Sequence, residues 1–232
     1  MKALLYKEFR LAFHPICYIF VFLFPLMILI PKYPIGVGFI YILTCYPIIF
    51  LGANKGQQSN DLLFSTLQPV RKKDIVLARI ITIAIMQFVY IALLAALNPL
   101  GQLIAENIPA DPSSPLQMLS VPGIERSGIV NLLAIGIVGF TIADIIFFPI
   151  YYKNGKSIVM STLFTIFGFV AYIALFTIAF CYIPGMEWYY EFMSFADLWI
   201  QFIVLAGALV IYVAVHFLVY KISARRLERV DF

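Results

Sequence analysis

Six long apolar runs limit what this chain can fold into more than any other feature of its sequence. A helix that crosses a lipid bilayer needs about 20 mainly apolar residues, with about 17 to 25 tolerated. A transmembrane barrel would instead show segments of about ten residues with alternating polarity, and the runs do not alternate in this way. We therefore predict an all-α integral membrane protein with one transmembrane domain over residues 1–232. Its six transmembrane helices are expected at residues 15–30, 37–53, 75–100, 129–151, 158–183 and 198–220.

Composition agrees with this class. Hydrophobic residues make up 63% of the 232 residues and charged residues 12%, which is more apolar surface than one soluble core of this size could bury. The first two runs are separated by Pro31-Lys32-Tyr33-Pro34, which cannot continue a helix and predicts a tight hairpin.

The positions of lysine and arginine give the orientation. Of the 16 basic residues, all but Lys32 and Arg126 fall on one side of the membrane if the chain crosses it six times. Basic residues concentrate in cytoplasmic loops, so both termini are predicted to be cytoplasmic. The net charge of +4 then reflects topology, and no nucleic-acid partner is expected, because the basic residues are dispersed along the membrane boundaries.

A polar island at residues 54–79 interrupts the apolar runs on the cytoplasmic side. Ser59 or Asn60 can cap a short helix whose first turn holds Asp61, and Pro69 ends it. Residues 54–74 are expected to form a cytoplasmic docking segment, with a short helix at 61–67. Its apolar side consists of Leu62, Leu63, Phe64 and Leu67, and the basic cluster that follows consists of Arg71, Lys72 and Lys73.

The first 14 residues predict an amphipathic helix that lies in the inner membrane interface. A solvated leader with chance periodicity is the alternative. The apolar side is expected to contain Leu4, Leu5, Phe9, Ala12 and Phe13, with Lys2, Lys7, Glu8 and Arg10 elsewhere.

Two larger connections are expected outside the membrane. Residues 101–128 contain several prolines and predict a turn-rich loop that does not hold a long helix. Residues 184–197 are rich in tryptophan, tyrosine and phenylalanine. That segment fits either a short re-entrant element at the outer surface or an ordinary aromatic belt.

Asp144 is the acidic residue that lies deep within a predicted span. A carboxylate at mid-bilayer costs about 2.5 to 3.5 kcal/mol, so it should face other helices or water. One interpretation is a functional group in a transport pathway or gate. The other is a structural partner for a neighbouring hydroxyl, an amide or His216.

The sequence predicts no catalytic or metal site. The three cysteines and two histidines have no spacing typical of redox or metal motifs. Gly155-Lys156-Ser157 resembles the end of a phosphate-binding loop, but that motif requires a glycine where the chain has Ile150. Residues 152–156 are instead predicted to form a short cytoplasmic turn, and no cofactor is expected on this chain.

Three segments resemble a known family. Residues 61–79, DLLFSTLQPVRKKDIVLAR, are similar to the membrane subunits of ABC type-2 exporters, in which an acidic, leucine-rich segment precedes a Leu-x-Pro-Val-x-Arg-Lys-like motif. Residues 148–156, FPIYYKNGK, resemble the segment that ends their fourth span, and the basic ending at 221–232 resembles their C-terminus. Among small members, the chain most resembles the permeases of the phenol-soluble-modulin (antimicrobial peptide) exporters of Firmicutes.

This resemblance implies a permease of the bacterial plasma membrane that pairs with a second copy of itself as a homodimer. Two copies of a separate ABC ATPase, which holds ATP and Mg²⁺, would drive transport through a coupling helix at 61–67. The residues implied in ATPase coupling are Asp61, Leu62, Leu63, Phe64, Leu67, Pro69, Arg71 and Lys72. A second, lesser cytoplasmic contact is implied at Tyr152, Lys153, Gly155 and Lys156.

The resemblance implies that the protein moves amphipathic peptides outward across the membrane. We expect a pathway or gate with Asp144 and five aromatic side chains: Phe20, Phe24, Tyr41, Phe164 and Phe167. Two alternatives stay open at this stage. One is a secondary transporter that uses Asp144 and His216 as a proton relay, and the other is a structural membrane component.

Overall fold

The computed structural model describes residues 2–12, 21–23, 25–26, 70–107, 129–154, 158–182 and 198–229, and within these ranges all regular structure is helical. This confirms the predicted helical class for that part of the chain. Helices suit an apolar sequence in lipid because they satisfy every backbone hydrogen bond within one segment. The five longer helices are α1 (Lys2–Ala12), α2 (Lys72–Asn107), α3 (Ile129–Asn154), α4 (Ile158–Tyr182) and α5 (Leu198–Glu228).

Three of these helices contain segments that are long and apolar enough to cross a membrane. The segments are Lys72–Leu100 in α2, Leu133–Lys153 in α3 and Leu198–Glu228 in α5. In α4, the apolar stretch Met160–Tyr172 is shorter, although the whole helix has 25 residues. Of the first two predicted spans, 15–30 and 37–53, the described residues include only 21–23 and 25–26.

Two helices continue beyond the ends that hydropathy suggested. Helix α2 runs through Pro99 to Asn107, so the first seven residues of the loop expected at 101–128 are helical. A proline removes one backbone hydrogen bond without always ending a helix. Helix α5 continues past residue 220 to Glu228 because its buried face does, with Ser223, Ala224 and Leu227 all buried.

Helix α3 lies at the centre of the described bundle and packs against α5, α4 and α2, while α1 packs against α2. The core contains large aromatic rings, several of them from α3. Phe147 stacks on Tyr151 with ring centroids 5.8 Å apart, and Phe148 stacks on Tyr152 at 6.4 Å. The two members of each pair are four residues apart, so each pair lies along one side of α3.

Glycines allow α3 and α4 to approach closely. A Cβ atom on Gly139 of α3 would lie 3.0 Å from Cε2 of Phe169, and one on Gly168 of α4 would lie 2.2 Å from Cδ1 of Ile146. Small residues commonly line helix contacts in membranes, where close backbone approach replaces hydrophobic burial as the source of packing.

Candidate functional site

A cluster of polar side chains lies inside the bundle where α2, α3 and α5 meet. Asp144 of α3 is 0% exposed. Its Oδ2 atom accepts a hydrogen bond from Nε2 of Gln87 on α2 at 2.9 Å and lies 3.0 Å from Nε2 of His216 on α5. The hydroxyl of Tyr212 donates to Oε1 of Gln87 at 2.5 Å. We call these four residues the intramembrane cluster.

Helical spacing brings Tyr212 and His216 into one cluster. They are four residues apart on the buried face of α5, where side chains at this spacing lie one above the other. Their rings stack with centroids 3.9 Å apart and an angle of 29° between planes. Nδ1 of His216 lies 2.8 Å from the backbone oxygen of Tyr212, which fixes the orientation of the imidazole.

The cluster explains how a carboxyl group can lie within a span. An isolated carboxylate in a medium of low dielectric constant loses its hydration, whereas a carboxylate with donors keeps much of its stabilisation. Gln87 and His216 both approach the same oxygen of Asp144. Among the partners that the sequence offered for Asp144, the structure therefore places an amide and His216 in contact with it.

A second buried polar contact joins α1 to α2 and α3. Nε and Nη2 of Arg79 bond to the two carboxylate oxygens of Glu8 at 2.8 Å and 3.1 Å, and Nη1 donates to the hydroxyl of Tyr151 at 3.3 Å. Glu8 is 2% exposed. Leu4 of α1 packs beside this ion pair against Ile75 and Ala78.

Glu8 corrects the predicted arrangement of α1. The sequence pattern put its side chain away from the apolar side, but Glu8 is buried together with Leu4. The two residues are four apart, so they share one face of the helix. The charge is accommodated there because Arg79 supplies a two-pronged partner.

A third contact connects the C-terminal parts of α3 and α5. Nη1 of Arg226 donates to the backbone oxygen of Pro149. The extension of α5 past residue 220 is what brings Arg226 to this position.

The structure describes part of the predicted coupling segment. Arg71 is exposed and Lys72 half-buried at the start of α2, where the backbone N–H of Asp74 donates to the carbonyl of Arg71 at 2.9 Å. The other residues predicted for coupling lie outside the described residues: Asp61, Leu62, Leu63, Phe64, Leu67 and Pro69.

The first three residues of the turn predicted at 152–156 are helical. Helix α3 continues to Asn154, so Tyr152 and Lys153 are helical. Tyr152 is 0% exposed and packs in the core. Lys153 is exposed, and Gly155 and Lys156 lie outside the described residues.

Two of the five aromatic residues predicted for a pathway are described. Phe164 is 53% exposed and Phe167 is 70% exposed, both on α4. Phe20, Phe24 and Tyr41 lie outside the described residues.

Sequence reasoning did not single out Gln87, Tyr212 or the Glu8–Arg79 pair. Arg79 lies four residues inside the span predicted to begin at 75, and a charge at that depth indicates a buried partner. Gln87 lies at the same helical phase as buried Ile83 and Tyr90. In the described ranges, no group of three or more His, Cys, Asp or Glu residues could hold a metal ion.

Comparison with known proteins gives one match. A family model described as "ABC-2 family transporter protein" matches residues 3–225. No curated protein and no solved structure matches the chain.

Proposed function

We propose, on the premise that this chain belongs to the ABC-2 family of transporter proteins and is a multi-pass permease subunit, that it exports amphipathic peptides with a separate ATPase. The family match supports the permease role, because it extends over residues 3–225 and so includes the five longer described helices apart from Lys2 and the end of α5. The family implies an ABC ATPase as partner. We propose that two copies of each chain form the complex, with ATP and Mg²⁺ on the ATPase.

We propose that residues 61–67 receive the ATPase. Leu62, Leu63, Phe64 and Leu67 offer apolar anchors, and Arg71 and Lys72 would form a rim whose contribution depends on salt. The contacts at the start of α2 support a mechanical role for this segment. Because Arg79 binds both Glu8 and Tyr151, displacement of the start of α2 would be passed directly to α1 and α3.

The coupling proposal is tested in the purified complex of permease and ATPase. Phe64→Ala and Leu63→Asp should lower peptide transport and its stimulation of ATP hydrolysis, while the permease still inserts into the membrane. Ser65→Ala is the matched control, because residue 65 lies on the opposite side of a helix from Leu67. Unchanged transport in both variants would refute the docking role.

We propose that the substrate is an amphipathic peptide because α4 presents large apolar side chains away from the bundle. Phe164 and Phe167 lie one turn apart on this exposed side, and an apolar peptide face could pack against them. ATP-driven closure of the two ATPases would move the helices as rigid bodies and alternately open a path between the two permeases.

Stimulation of ATP hydrolysis by candidate peptides tests the substrate. An amphipathic helical peptide should stimulate the complex, whereas a scrambled peptide of the same composition should not. Phe164→Ala with Phe167→Ala should weaken the stimulation, and Phe202→Ala on α5, a ring of similar exposure, is the control. Stimulation by lipid or a small apolar molecule alone would reassign the substrate.

A proton-driven secondary transporter is the second candidate, since Asp144 and His216 are in contact within the membrane. The two candidates differ in their need for a partner. Co-purification of a stoichiometric ATPase and ATP-dependent flux would support the exporter. Proton-driven flux by the permease alone would support the secondary transporter and exclude the exporter.

A further inference from the structure

We infer that Asp144 and His216 form a proton-binding site in which one shared proton holds α3 against α5. This role of the pair is independent of the peptide substrate and of the ATPase partner. Some atoms of the intramembrane cluster can donate a hydrogen bond and others can only accept one, and this difference fixes the number of protons on the pair.

Nδ1 of His216 lies 2.8 Å from the backbone oxygen of Tyr212. A carbonyl oxygen can only accept a hydrogen bond, so the imidazole nitrogen at this distance must donate. Nδ1 therefore carries a proton. Nε2 then either carries a second proton, which makes the imidazole a cation, or has a lone pair.

Nε2 of His216 lies 3.0 Å from Oδ2 of Asp144. If Asp144 is ionised, Nε2 must carry a proton and the imidazole is a cation. If Asp144 is neutral, its hydroxyl donates to the lone pair of Nε2. Both descriptions contain the same number of protons and give the pair no net charge. Removing that proton would leave a carboxylate facing a nitrogen lone pair.

Among the described contacts of the pair, the titratable side chains are Asp144 of α3 and Tyr212 and His216 of α5, and α2 contributes the uncharged Gln87. Helix α4 contains no Asp, Glu, Lys, Arg or His. The Glu8–Arg79 pair lies eight residues from Gln87 along α2, about 12 Å by helical rise. Because the Asp144–His216 pair is buried, little water screens the repulsion between a carboxylate and a facing nitrogen lone pair.

The direction of the pH effect follows from this. As pH rises far enough to remove the shared proton, the α3–α5 contact loses its hydrogen bond, and the carboxylate of Asp144 then faces the lone pair of Nε2. The bundle should then become less stable toward alkaline pH. Gln87 cannot replace the lost proton, because its amide nitrogen already donates to the same Oδ2 atom.

Nitrogen-15 NMR of histidine tests the proton count on the full-length permease in lipid nanodiscs. The chain has only two histidines, so His14→Gln leaves a single labelled imidazole, that of His216. We expect its Nδ1 signal to stay that of a protonated nitrogen at neutral pH, and Nε2 to change in a single-proton step as pH rises. An unprotonated Nδ1 at neutral pH would overturn the inference.

The pH dependence of thermal unfolding tests the role of the proton. The unsubstituted permease should lose thermal stability as pH rises, and Asp144→Asn combined with His216→Gln should lose that pH dependence. Glu8→Gln is the control, because it alters a carboxylate outside the cluster and should keep the alkaline loss. An unchanged alkaline loss in the double variant would refute the inference. If the double variant does not fold, the NMR titration alone decides the proton count.

Discussion

At the scale of single residues, the described bundle contains buried charges only where another helix supplies a partner. Glu8 of α1 meets Arg79 of α2, and Asp144 of α3 meets His216 of α5. Buried threonines are accommodated within their own helices. The hydroxyl groups of Thr82, Thr141 and Thr165 each donate to the backbone oxygen four residues earlier. The inter-helix polar pairs therefore specify which helices meet, and the threonines do not.

Removal of Glu8 should strongly destabilise the protein. Glu8→Ala leaves the Arg79 guanidinium buried without its carboxylate, and breaking a buried pair in this way costs about 3–5 kcal/mol. A lower thermal unfolding midpoint in detergent would report the loss. Lys2→Ala, an exposed change on the same helix, is the control and should leave the midpoint nearly unchanged. A Glu8→Ala midpoint equal to that of Lys2→Ala would contradict the prediction.

Replacement of Tyr212 should have a smaller effect. Tyr212→Phe removes the donor to Oε1 of Gln87 and leaves that buried oxygen without this bond, at a cost of about 1–3 kcal/mol. Chemical unfolding of the purified permease measures the difference. Tyr220→Phe, a half-buried ring on the same helix, should cost less. Equal losses in the two variants would show that the hydroxyl of Tyr212 contributes nothing specific.

At the scale of helices, the described contacts are of two kinds. α3 and α4 approach through Gly139 and Gly168 with side chains interleaved, whereas α3 and α5 are joined by the intramembrane cluster and by Arg226. The first kind depends on shape and the second on hydrogen bonds. A membrane protein needs both, since lipid competes with apolar contacts between helices but supplies no hydrogen bonds.

Enlarging Gly139 should separate α3 from α4. Gly139→Leu forces a side chain against the ring of Phe169, and such overpacking costs about 1–3 kcal/mol. Gly136 gives a matched control, because it lies one turn away on α3 with nothing within 4 Å of an added Cβ. The yield and thermal midpoint of folded protein should fall for Gly139→Leu only. Equal behaviour of the two variants would contradict this prediction.

The helical class could be predicted from sequence because long apolar runs have few structural solutions in lipid. Helices α3, α4 and α5 begin where the apolar runs begin. The C-terminal end of α5 was harder to predict. This helix continues through Lys221 and Arg225 because its buried face continues, and mean hydropathy does not detect which face of a helix is buried. The partners of Asp144 were partly predictable, because a buried carboxylate needs donors. Gln87 was not, since one glutamine among apolar residues does not indicate which way it faces.

At the scale of the whole molecule, the chain is a multi-pass permease subunit, and the distribution of its basic residues predicts its orientation in the membrane. Lys153 at the end of α3 and Lys221 near the end of α5 are both exposed. Arg226 bonds to Pro149, so the C-terminal ends of α3 and α5 lie together. Their position on the cytoplasmic side stays a prediction.

Cysteine labelling in a background without Cys17, Cys45 and Cys181 tests the orientation. Lys153→Cys and Lys221→Cys should react with an impermeant maleimide only when the cytoplasmic side is accessible. Ser113→Cys, in the loop expected outside, should react in intact cells. Reaction of Lys153→Cys in intact cells without permeabilisation would reverse the predicted topology.

The two connections between α3 and α5 limit how these helices can move relative to each other. One lies at His216, within the membrane, and the other at Arg226, about 15 Å further along α5 by helical rise. Two fixed points define a line, so while both contacts persist the pair keeps a single rotational degree of freedom, about that line. Sliding or splaying of α3 against α5 requires at least one of the two contacts to break first.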